Sequence, residues 1–501
     1  MADPFNYSIK NGFFLSFDDC TIKETVNYCF VKFSPLSNGQ SEIDEINVKM
    51  TNTSITNTDT SSRIEKDLIS IENDSNFNSN LIINDCTFSD ISLNSNNFII
   101  HTKSNMNSIC LTNSTITFTD QAKGSNLMKF ENSNINFLNI NGCTFEKSLY
   151  AICSEITVKD TAISNCIFTD CVSNSAVIQI KSDHFLFENS DIIFTSHSNG
   201  ACSMGIIVSD SITAVINNAN FKNCFGQEDG IAIRCISQNL DQTSMTVNSC
   251  TFSECTPEKS NVYTSNRKVN FVNNTISSET ASNNLNGLFV NYMCRLFVDE
   301  CTFTRCTYSS SHGSSIKYYP TVYDENIDES IIVQNCHFTE CAGYASVASI
   351  YPFVSRPKFF NMTISKSYHN FNIIVEMQSS LSSSINEDEV ILQNVSFIDS
   401  HPVSNTAAAG GGGCGFSYKT TISNSDTVSF INCRFEDNYY QGQESFGGGA
   451  ICFQDSSCSN FNVKISSCTF LNCYTPMNNG GTIAITTEKS VSIEDCYFEK
   501  C

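Results

Sequence analysis

The hexapeptide Cys301-Thr302-Phe303-Thr304-Arg305-Cys306 decides the fold, because the chain repeats its pattern many times. Such frequent recurrence excludes chance and makes this a repeat protein. Full copies of Cys-x-Phe-x-x-Cys also begin at Cys166, Cys250, Cys336, Cys468 and Cys496. Shortened copies that keep the first three positions begin at Cys86, Cys143 and Cys433.

Alternating stretches precede the copies and predict β-strands. Val463-Lys464-Ile465 and Val491-Ser492-Ile493 alternate apolar and polar residues, which is typical of a strand with one buried face. Continuing that alternation places the first Cys and the Phe of the motif on the buried face and its Thr in water. A second strand is predicted after a short polar turn, as in Gly448–Phe453 and Gly480–Ile485, where glycine suits a sharp corner.

These elements predict an all-β fold: a single right-handed parallel β-helix, or solenoid, of roughly 15–20 coils. Motif cysteines lie 35 residues apart between Cys301 and Cys336, a unit shorter than a propeller blade. We expect one continuous β-helix over residues 1–501, with more degenerate coils over residues 1–85.

Like residues then lie above like and form a core ladder. The predicted ladder residues are Cys166, Phe168, Cys250, Phe252, Cys301, Phe303, Cys336, Phe338, Cys433, Phe435, Cys468, Phe470, Cys496 and Phe498.

The composition excludes several classes of function. Lys plus Arg number 28 and Asp plus Glu 51, so the net charge of −23 disfavours nucleic acid and anionic lipid as partners. No run of 18 apolar residues occurs, and we expect no membrane span within these residues. No cofactor is expected, because the glycine run at Gly410–Gly415 lacks the Lys-Ser/Thr of a phosphate-binding loop.

The chain ends and the cysteines bear on location. No basic and apolar leader follows Met1, which by itself would place the 26 cysteines in a reducing compartment as free thiols. A complete motif copy at Cys496–Cys501 ends the sequence, so we expect a piece of a longer protein located at the cell surface or outside the cell. Glycosylation sequons such as Asn113–Thr115 and Asn394–Ser396 do not decide this, because chance produces many in an Asn- and Ser-rich chain.

Two paired motifs near the end of the sequence resemble a known repeat family. Phe435-Glu436-Asp437-Asn438 followed by Gly448-Gly449-Ala450-Ile451 resembles the F-x-x-N and G-G-A-I motifs of the chlamydial polymorphic outer-membrane proteins. Phe470–Cys473 with Gly480–Ile483 is a near variant. Cys or Ser replaces the Asn in most other copies, which indicates a distant relative such as a protist surface protein. The resemblance implies a surface-exposed β-helix for adhesion or antigenic display, with no catalytic residues to carry over.

We therefore expect a non-enzymatic, surface-displayed β-helix protein for adhesion, binding or antigenic display. The first alternative is a polysaccharide-acting β-helix enzyme, a lyase or hydrolase, which needs clustered carboxylates with a basic residue. No motif copy supplies such a pair, and the adjacent Asp183-His184 is interpreted as a coil-edge turn. The second alternative is an intracellular structural repeat protein, because exposed β-helix ends favour end-to-end self-association.

Two insertions between coils are candidate contact loops, because loops on rigid scaffolds carry recognition. They are Tyr318–Glu329, which we call the acidic insertion, and Ser400–Cys414. The expected partners are a host-cell or matrix protein or a glycan. No catalytic or cofactor-binding residue is predicted.

The acidic insertion also contains the candidate metal ligands Asp324, Asn326 and Asp328, whose oxygen donors alternate as in a Ca²⁺ loop. Glu329 stands where such a loop needs glycine, and Asn335 where it needs a bidentate Glu. A solvated acidic insertion is therefore the preferred interpretation.

Overall fold

The structure is a computed structural model that describes the chain in segments. The described residues are 13–23, 30–33, 46–56, 66–72, 79–93, 97–118, 126–131, 134–148, 150–171, 176–195, 204–226, 228–237, 242–257, 259–278, 287–306, 314–378, 389–401, 416–419, 426–439, 448–453, 461–475, 481–485 and 489–501.

Each coil is built from parallel strands, and no α-helix occurs in the described segments. Ser330–Gln334, His337–Thr339 and Ala342–Ile350 form one typical coil, in which two tight turns separate three strands. Each strand pairs in parallel register with the equivalent strand of a neighbouring coil, as Thr302–Thr304 does with His337–Thr339. The predicted all-β parallel β-helix is therefore confirmed. Its right-handed winding stays a prediction.

The strands form three faces, numbered by their order within a coil. Face 1 ends at the first turn and comprises Phe13–Asp18, Ile46–Thr51, Ser79–Asn84, Met106–Thr112, Ile135–Asn141, Thr213–Asn217, Ser244–Asn248, Lys268–Val272, Arg295–Asp299, Ser330–Gln334, Lys358–Phe360, Glu389–Gln393, Thr427–Ile431, Asn462–Ser466 and Val491–Glu494. Face 2 carries the motif Phe and comprises Thr21–Lys23, Ser54–Thr56, Thr87–Ile91, Thr115–Phe118, Thr144–Glu146, Ile167–Thr169, Asp191–Ile193, Asn220–Lys222, Thr251–Ser253, Thr275–Ser277, Thr302–Thr304, His337–Thr339, Thr363–Ser365, Ser396–Ile398, Arg434–Glu436, Thr469–Leu471 and Tyr497–Glu499.

Face 3 follows the second turn. It comprises Val31–Phe33, Ile69–Ile71, Phe98–Thr102, Asn126–Phe130, Ile206–Ser209, Asp229–Ile236, Ser260–Thr264, Leu288–Val290, Ile316–Tyr318, Ala342–Ile350, Tyr368–Glu376, Phe416–Lys419, Ile451–Phe453 and Ile483–Ile485. Two long strands, Tyr150–Ser164 and Ile178–Glu188, serve face 3 and then face 1. The short strands Phe225–Gly226 and Thr256–Pro257 complete the set.

The chain divides into two compact units. Unit 1 comprises Met1–Gln227 and Ile231–Ser244, and unit 2 comprises Glu228–Gly230 and Met245–Cys501. Face 2 contributes eight strands to unit 1 and nine to unit 2, so the described residues contain seventeen coils, within the predicted range. That the whole chain forms one continuous β-helix stays a prediction.

The motif Phe forms an inward column on face 2. Phe303 pairs with Phe338, and their rings stack at 4.8 Å with an interplanar angle of 2°. Ile fills the same slot in other coils, as Ile276 and Ile364 do. The rings of Phe397, Phe435, Phe470 and Phe498 form a longer stack with centroid distances of 5.2, 4.8 and 4.6 Å. Removing each fully buried ring from water contributes about 1.5–3 kcal/mol, so this column is a main source of stability.

The predicted core ladder lies inward except at its last coil. Its cysteines and phenylalanines from Cys166 to Phe470 are each at most 2 % exposed. Phe498 is 45 % exposed, because its ring stacks on Phe470 on one side only. Cys496 in the same coil is half-buried.

One residue with positive φ forms the first turn of every coil. Asn and Asp adopt this left-handed conformation more readily than other non-glycine residues, because their short polar side chains bond locally. In unit 2, each Nδ2 of Asn361, Asn394 and Asn432 donates to the Oδ1 of the turn asparagine one coil earlier, at 2.8–3.1 Å. The turn residues are Asp19, Asn52, Asp85, Asn113, Gly142, Asn165, Asn189, Asn218, Ser249, Asn273, Glu300, Asn335, Asn361, Asn394, Asn432, Ser467 and Asp495, with φ between 48° and 66°.

The first motif Cys follows this turn, and its thiol makes hydrogen bonds to two coils. Sγ of Cys301 donates to the carbonyl oxygen of Asp299 at 3.2 Å and to that of Phe271 at 3.3 Å. It also accepts from the backbone N–H of Asn274 at 3.5 Å. The thiol therefore satisfies backbone groups that the turn leaves in the core.

Other polar residues take over this role in other coils. The hydroxyl of Ser190 accepts from the N–H of Cys166 at 2.9 Å and donates to the carbonyl of Glu188 at 2.7 Å. At the second turn, the Asn of the F-x-x-N motif behaves similarly. Asn438 Oδ1 accepts from Ser400 N at 3.0 Å, and its Nδ2 donates to Phe397 O at 2.9 Å. Cys, Ser and Asn exchange in these slots because each bridges coils through a polar atom.

The cysteines whose side chains are described are free thiols. Burial raises the pKa of Cys171 to about 12 and that of Cys473 to about 12. Because the thiolate is the reactive form, these inward thiols are chemically quiet at neutral pH. Cys501 is exposed.

The glycine pair of the G-G-A-I motif serves close backbone approach rather than positive φ. A Cβ on Gly448 would lie 2.2 Å from the carbonyl oxygen of Ile451, and one on Gly449 would lie 2.4 Å from Tyr474 N. Either contact is too short for any side chain. The expected glycine corner with positive φ occurs in the following coil at Gly481, where φ is +49°.

Replacing Cys301 tests the role of the thiol. Cys301→Ser keeps a donor and an acceptor in the slot, so we expect the free energy of unfolding to change by less than about 1 kcal/mol. Cys301→Val keeps the approximate volume but leaves the N–H of Asn274 without an acceptor, which costs about 1–3 kcal/mol. Chemical denaturation of both variants measures the difference. Equal destabilisation would mean that the thiol only fills space.

Candidate functional site

The acidic insertion presents aromatic and apolar side chains to solvent. Tyr319, Val322 and Tyr323 are 39 %, 53 % and 37 % exposed. Tyr319 meets Tyr351 edge to face with 5.0 Å between ring centroids, and Tyr323 meets Phe353 in the same way at 5.7 Å. The insertion therefore rests on aromatic residues while it holds apolar surface outward.

A lysine lies over the rings beside this surface. Lys317 Nζ is 4.7 Å from the ring centroid of Phe289 and 5.8 Å from that of Tyr319. Tyr263 packs edge-on against Phe289 at 5.3 Å. Burial lowers the pKa of Lys317 below its ordinary value, and the charge of Asp229 opposes that shift. The ammonium is thus held by cation–π contacts in a partly desolvated position.

A buried carboxylate anchors the end of the insertion. Glu329 is 7 % exposed, and its Oε1 accepts from the hydroxyl of Tyr318 at 2.7 Å and from Phe353 N at 3.3 Å. Its Oε2 accepts from Val354 N at 2.7 Å and from Ser355 N at 2.8 Å. Three of these four donors lie in the segment after the third strand of the next coil, so Glu329 fixes the insertion to that segment.

Two further acidic side chains of the insertion each bind an arginine. Asp324 pairs with Arg267 at 3.0 Å, and Asp328 pairs with Arg295 at 2.6 Å. The N–H of Asn326, its side chain and the Arg267 guanidinium hold the pKa of Asp324 below its usual range. Asn326 Nδ2 donates to Asp324 Oδ1 at 3.0 Å, so these two candidate metal ligands meet, while the third, Asp328, pairs with Arg295. Among the described residues, no three His, Cys, Asp or Glu side chains are placed to hold a metal ion.

Four aromatic side chains form a second surface feature of unit 2, in which the first and last are exposed and the two between them are half-buried. Tyr368, His401, Tyr439 and Tyr474, which we call the aromatic column, each follow the second turn in four successive coils. The rings of His401 and Tyr439 are 4.0 Å apart, and those of Tyr439 and Tyr474 are 5.9 Å apart and nearly parallel. Tyr368 and Tyr474 are 46 % and 42 % exposed.

The aromatic column was not expected from the sequence. Its signal is an aromatic residue directly after the second-turn slot: Ser367-Tyr368, Ser400-His401, Asn438-Tyr439 and Cys473-Tyr474. The motif Cys-x-Phe-x-x-Cys ends one residue before this aromatic position and therefore does not include it. Of the candidate loop Ser400–Cys414, only Ser400 and His401 are described, and the rest lies outside the described residues.

Unit 1 contains a cluster of acids around one histidine. His101 Nδ1 lies 2.8 Å from Asp67 Oδ2, and its Nε2 lies 3.2 Å from Glu131 Oε2. Lys129 also binds Glu131, and Lys103 Nζ is 4.0 Å from the same carboxylate. Burial alone would lower the pKa of His101, but the hydrogen bonds and charges of Asp67 and Glu131 together raise it. The cluster joins three coils.

The adjacent Asp183-His184 pair, interpreted from the sequence as a coil-edge turn, lies instead within the long strand Ile178–Glu188, where that strand passes from face 3 to face 1. The carbonyl oxygen of Asp183 accepts from the N–H of Ile212 at 2.9 Å. A ring nitrogen of His184 lies 2.9 Å from Thr213 Oγ1. These contacts tie the pair to a neighbouring strand rather than to a carboxylate cluster.

Comparison with family models, with curated proteins and with solved structures finds no match to this chain. Within the described segments there is no helix that could cross a membrane. The case for a function therefore depends on the residues and contacts of this chain alone.

Glu329→Gln tests whether the buried carboxylate fixes the acidic insertion. The amide turns one acceptor into a donor that faces other donors, so we expect a loss of about 1–3 kcal/mol in unfolding free energy. We also expect faster hydrogen exchange at the amides of Val354 and Ser355. Glu325→Gln, at an exposed carboxylate of the same insertion, is the matched control. Unchanged exchange in Glu329→Gln would contradict the anchoring role.

His101→Gln tests the charge of the histidine cluster. Because the folded pKa is raised above the unfolded value of about 6.5, the charged ring stabilises the fold fully below that value. That stability is lost as pH rises through the folded pKa. We therefore expect the variant to melt below the parent at about pH 5.5 and the gap to shrink towards alkaline pH. The exposed His184→Gln is the control, and a gap that is constant with pH would refute the charge argument.

Proposed function

We propose that this chain is a non-enzymatic β-helix protein, displayed at a cell surface, that adheres to a partner through the exposed aromatic surfaces of unit 2. The aromatic column carries the proposal. Exposed contiguous aromatic side chains on a rigid scaffold mark interaction sites, because they lose little conformational entropy when a partner covers them. The acidic insertion supplies a second such surface that Glu329 and two arginines hold in place.

The ring geometry favours a protein partner over a glycan. Tyr439 and Tyr474 stack on each other with an interplanar angle of 19°, so each ring turns one face towards the other rather than towards solvent. Sugars bind aromatic faces, whereas tyrosine edges with their hydroxyls are enriched in protein interfaces. The net charge of −23 adds a preference for a basic partner surface. A host-cell or matrix protein with a basic patch fits these features best.

The surface location is part of the same proposal and rests on the sequence. The paired motifs at Phe435–Asn438 and Gly448–Ile451 resemble those of polymorphic outer-membrane proteins, whose β-helices are displayed outside the cell. In this chain Asn438 bridges two coils, and Gly448 and Gly449 allow close backbone approach. These roles support a coil design shared with that family.

Adhesion is tested with the full chain on immobilised extracellular-matrix proteins and on cultured cells. Tyr439→Ala combined with Tyr474→Ala removes two interface anchors, so we expect at least about tenfold weaker binding. Tyr497→Ala, at a tyrosine that is 55 % exposed elsewhere on unit 2, is the matched control. Full binding by the double variant would contradict a role for the aromatic column. Binding to a glycan array instead of proteins would overturn the choice of partner.

The enzyme alternative has its own test. Incubating the chain with acidic polysaccharides and measuring chain length should show no cleavage. Cleavage that His101→Gln abolishes would overturn the non-enzymatic proposal, because His101 with Asp67 and Glu131 combines acids with a histidine.

A further inference from the structure

Every glycosylation sequon within the described residues occupies one structural position. Each begins at the first-turn residue with positive φ, and each of these asparagines is exposed. The five sequons are Asn52-Thr53-Ser54, Asn113-Ser114-Thr115, Asn273-Asn274-Thr275, Asn361-Met362-Thr363 and Asn394-Val395-Ser396. Two others, Asn6–Ser8 and Asn73–Ser75, lie outside the described residues.

The coil geometry explains this coincidence. The turn needs a residue that tolerates positive φ, the next residue points inward, and the third begins face 2 with its hydroxyl outward. In the coil of Asn113, the middle residue Ser114 is buried while Asn113 and Thr115 are both exposed. The acceptor amide and the hydroxyl that defines a sequon therefore share one exposed corner of the coil. The sequons are not scattered by chance but follow from the repeat.

We propose that Asn52, Asn113, Asn273, Asn361 and Asn394 are acceptors for N-linked glycans along this corner. The donor is an oligosaccharide carried on a polyprenyl diphosphate. The amide nitrogen forms a bond to sugar C1, the bond from C1 to the diphosphate oxygen breaks, and the amide loses one proton. In the cell this step requires export, so it rests on the proposed surface location.

The sites differ in the room around them. The first-turn residue one coil after Asn113 is Gly142. A Cβ at that position would lie 2.7 Å from Asn113 Oδ1, so the absence of a side chain on Gly142 leaves room for Asn113. Asn361 and Asn394 instead lie in consecutive paired coils, about 4.8 Å apart, and Asn394 Nδ2 donates to Asn361 Oδ1 at 2.8 Å. Two glycans do not fit at that spacing. We therefore expect full occupancy at Asn113 and one glycan shared between Asn361 and Asn394.

The test uses the folded full chain, produced without glycans, with a purified oligosaccharyltransferase and its lipid-linked donor. Mass spectrometry after enzymatic deglycosylation in heavy water counts the modified asparagines. We expect a glycan at Asn113 and never two on the Asn361 and Asn394 pair. Modification of the denatured chain but of none of the five sites in the folded chain would overturn the proposal. Two glycans on that pair would overturn the crowding argument.

Two variants sharpen the result. Ile167→Thr completes a sequon at Asn165, an exposed first-turn asparagine, and should add one glycan. Ile374→Thr completes a sequon at Asn372, which is fully buried and accepts from Ser346 Oγ at 2.6 Å, and should add none while the chain stays folded. The reverse outcome would show that the turn position does not select acceptors. None of these measurements involves partner binding, so failure of the adhesion proposal would leave them interpretable.

Discussion

Parallel pairing in register is the constraint on which the whole structure depends. It places each position of a coil directly over the same position of its neighbour. Each side chain therefore packs against the side chains at the same position in the adjacent coils. An apolar ring in the Phe slot meets another ring, as Phe303 meets Phe338 at 4.8 Å. A polar residue in that column would disturb two neighbours at once. This explains why the motif persists while the loops between coils vary in length.

The same constraint gives cysteine an unusual role. The backbone turns twice in most coils, and each turn leaves N–H and carbonyl groups directed at the core. A thiol is small and apolar enough for the interior, yet it still bonds to the carbonyl of Asp299 and the N–H of Asn274 from position 301. Ser190 and Asn438 perform the same task with stronger donors. Packing and hydrogen bonding therefore explain why cysteine suits these inward slots.

The fold could be predicted from the sequence because its information is local and repeated. Alternation before the motif and the spacing of Cys301 and Phe303 are enough to assign strands and an inward face. The turn chemistry was only half predicted: glycine corners were expected, but the first turn uses asparagine in most coils, since its side chain also bonds along the stack.

The candidate site was harder to predict because its partners are distant in sequence. Asp324 and Asp328 were considered as metal ligands, but Arg267 and Arg295 lie 57 and 33 residues before them and neutralise them. No local pattern reveals such pairs. The aromatic column could not be predicted from the sequence for a related reason. A single tyrosine after a turn means little, and only the stacking of coils brings Tyr439 and Tyr474 together.

The direction of the hydrogen bonds between coils has a mechanical consequence. Hydrogen bonds between coils run along the stack. Tension applied in that direction therefore acts on the bonds of one coil at a time, and the coils detach one after another. The coil that starts at Cys301 ends 35 residues later, and its release would add roughly 120 Å of extended chain. Within a unit, such coils lengthen in steps under load, and each step dissipates energy.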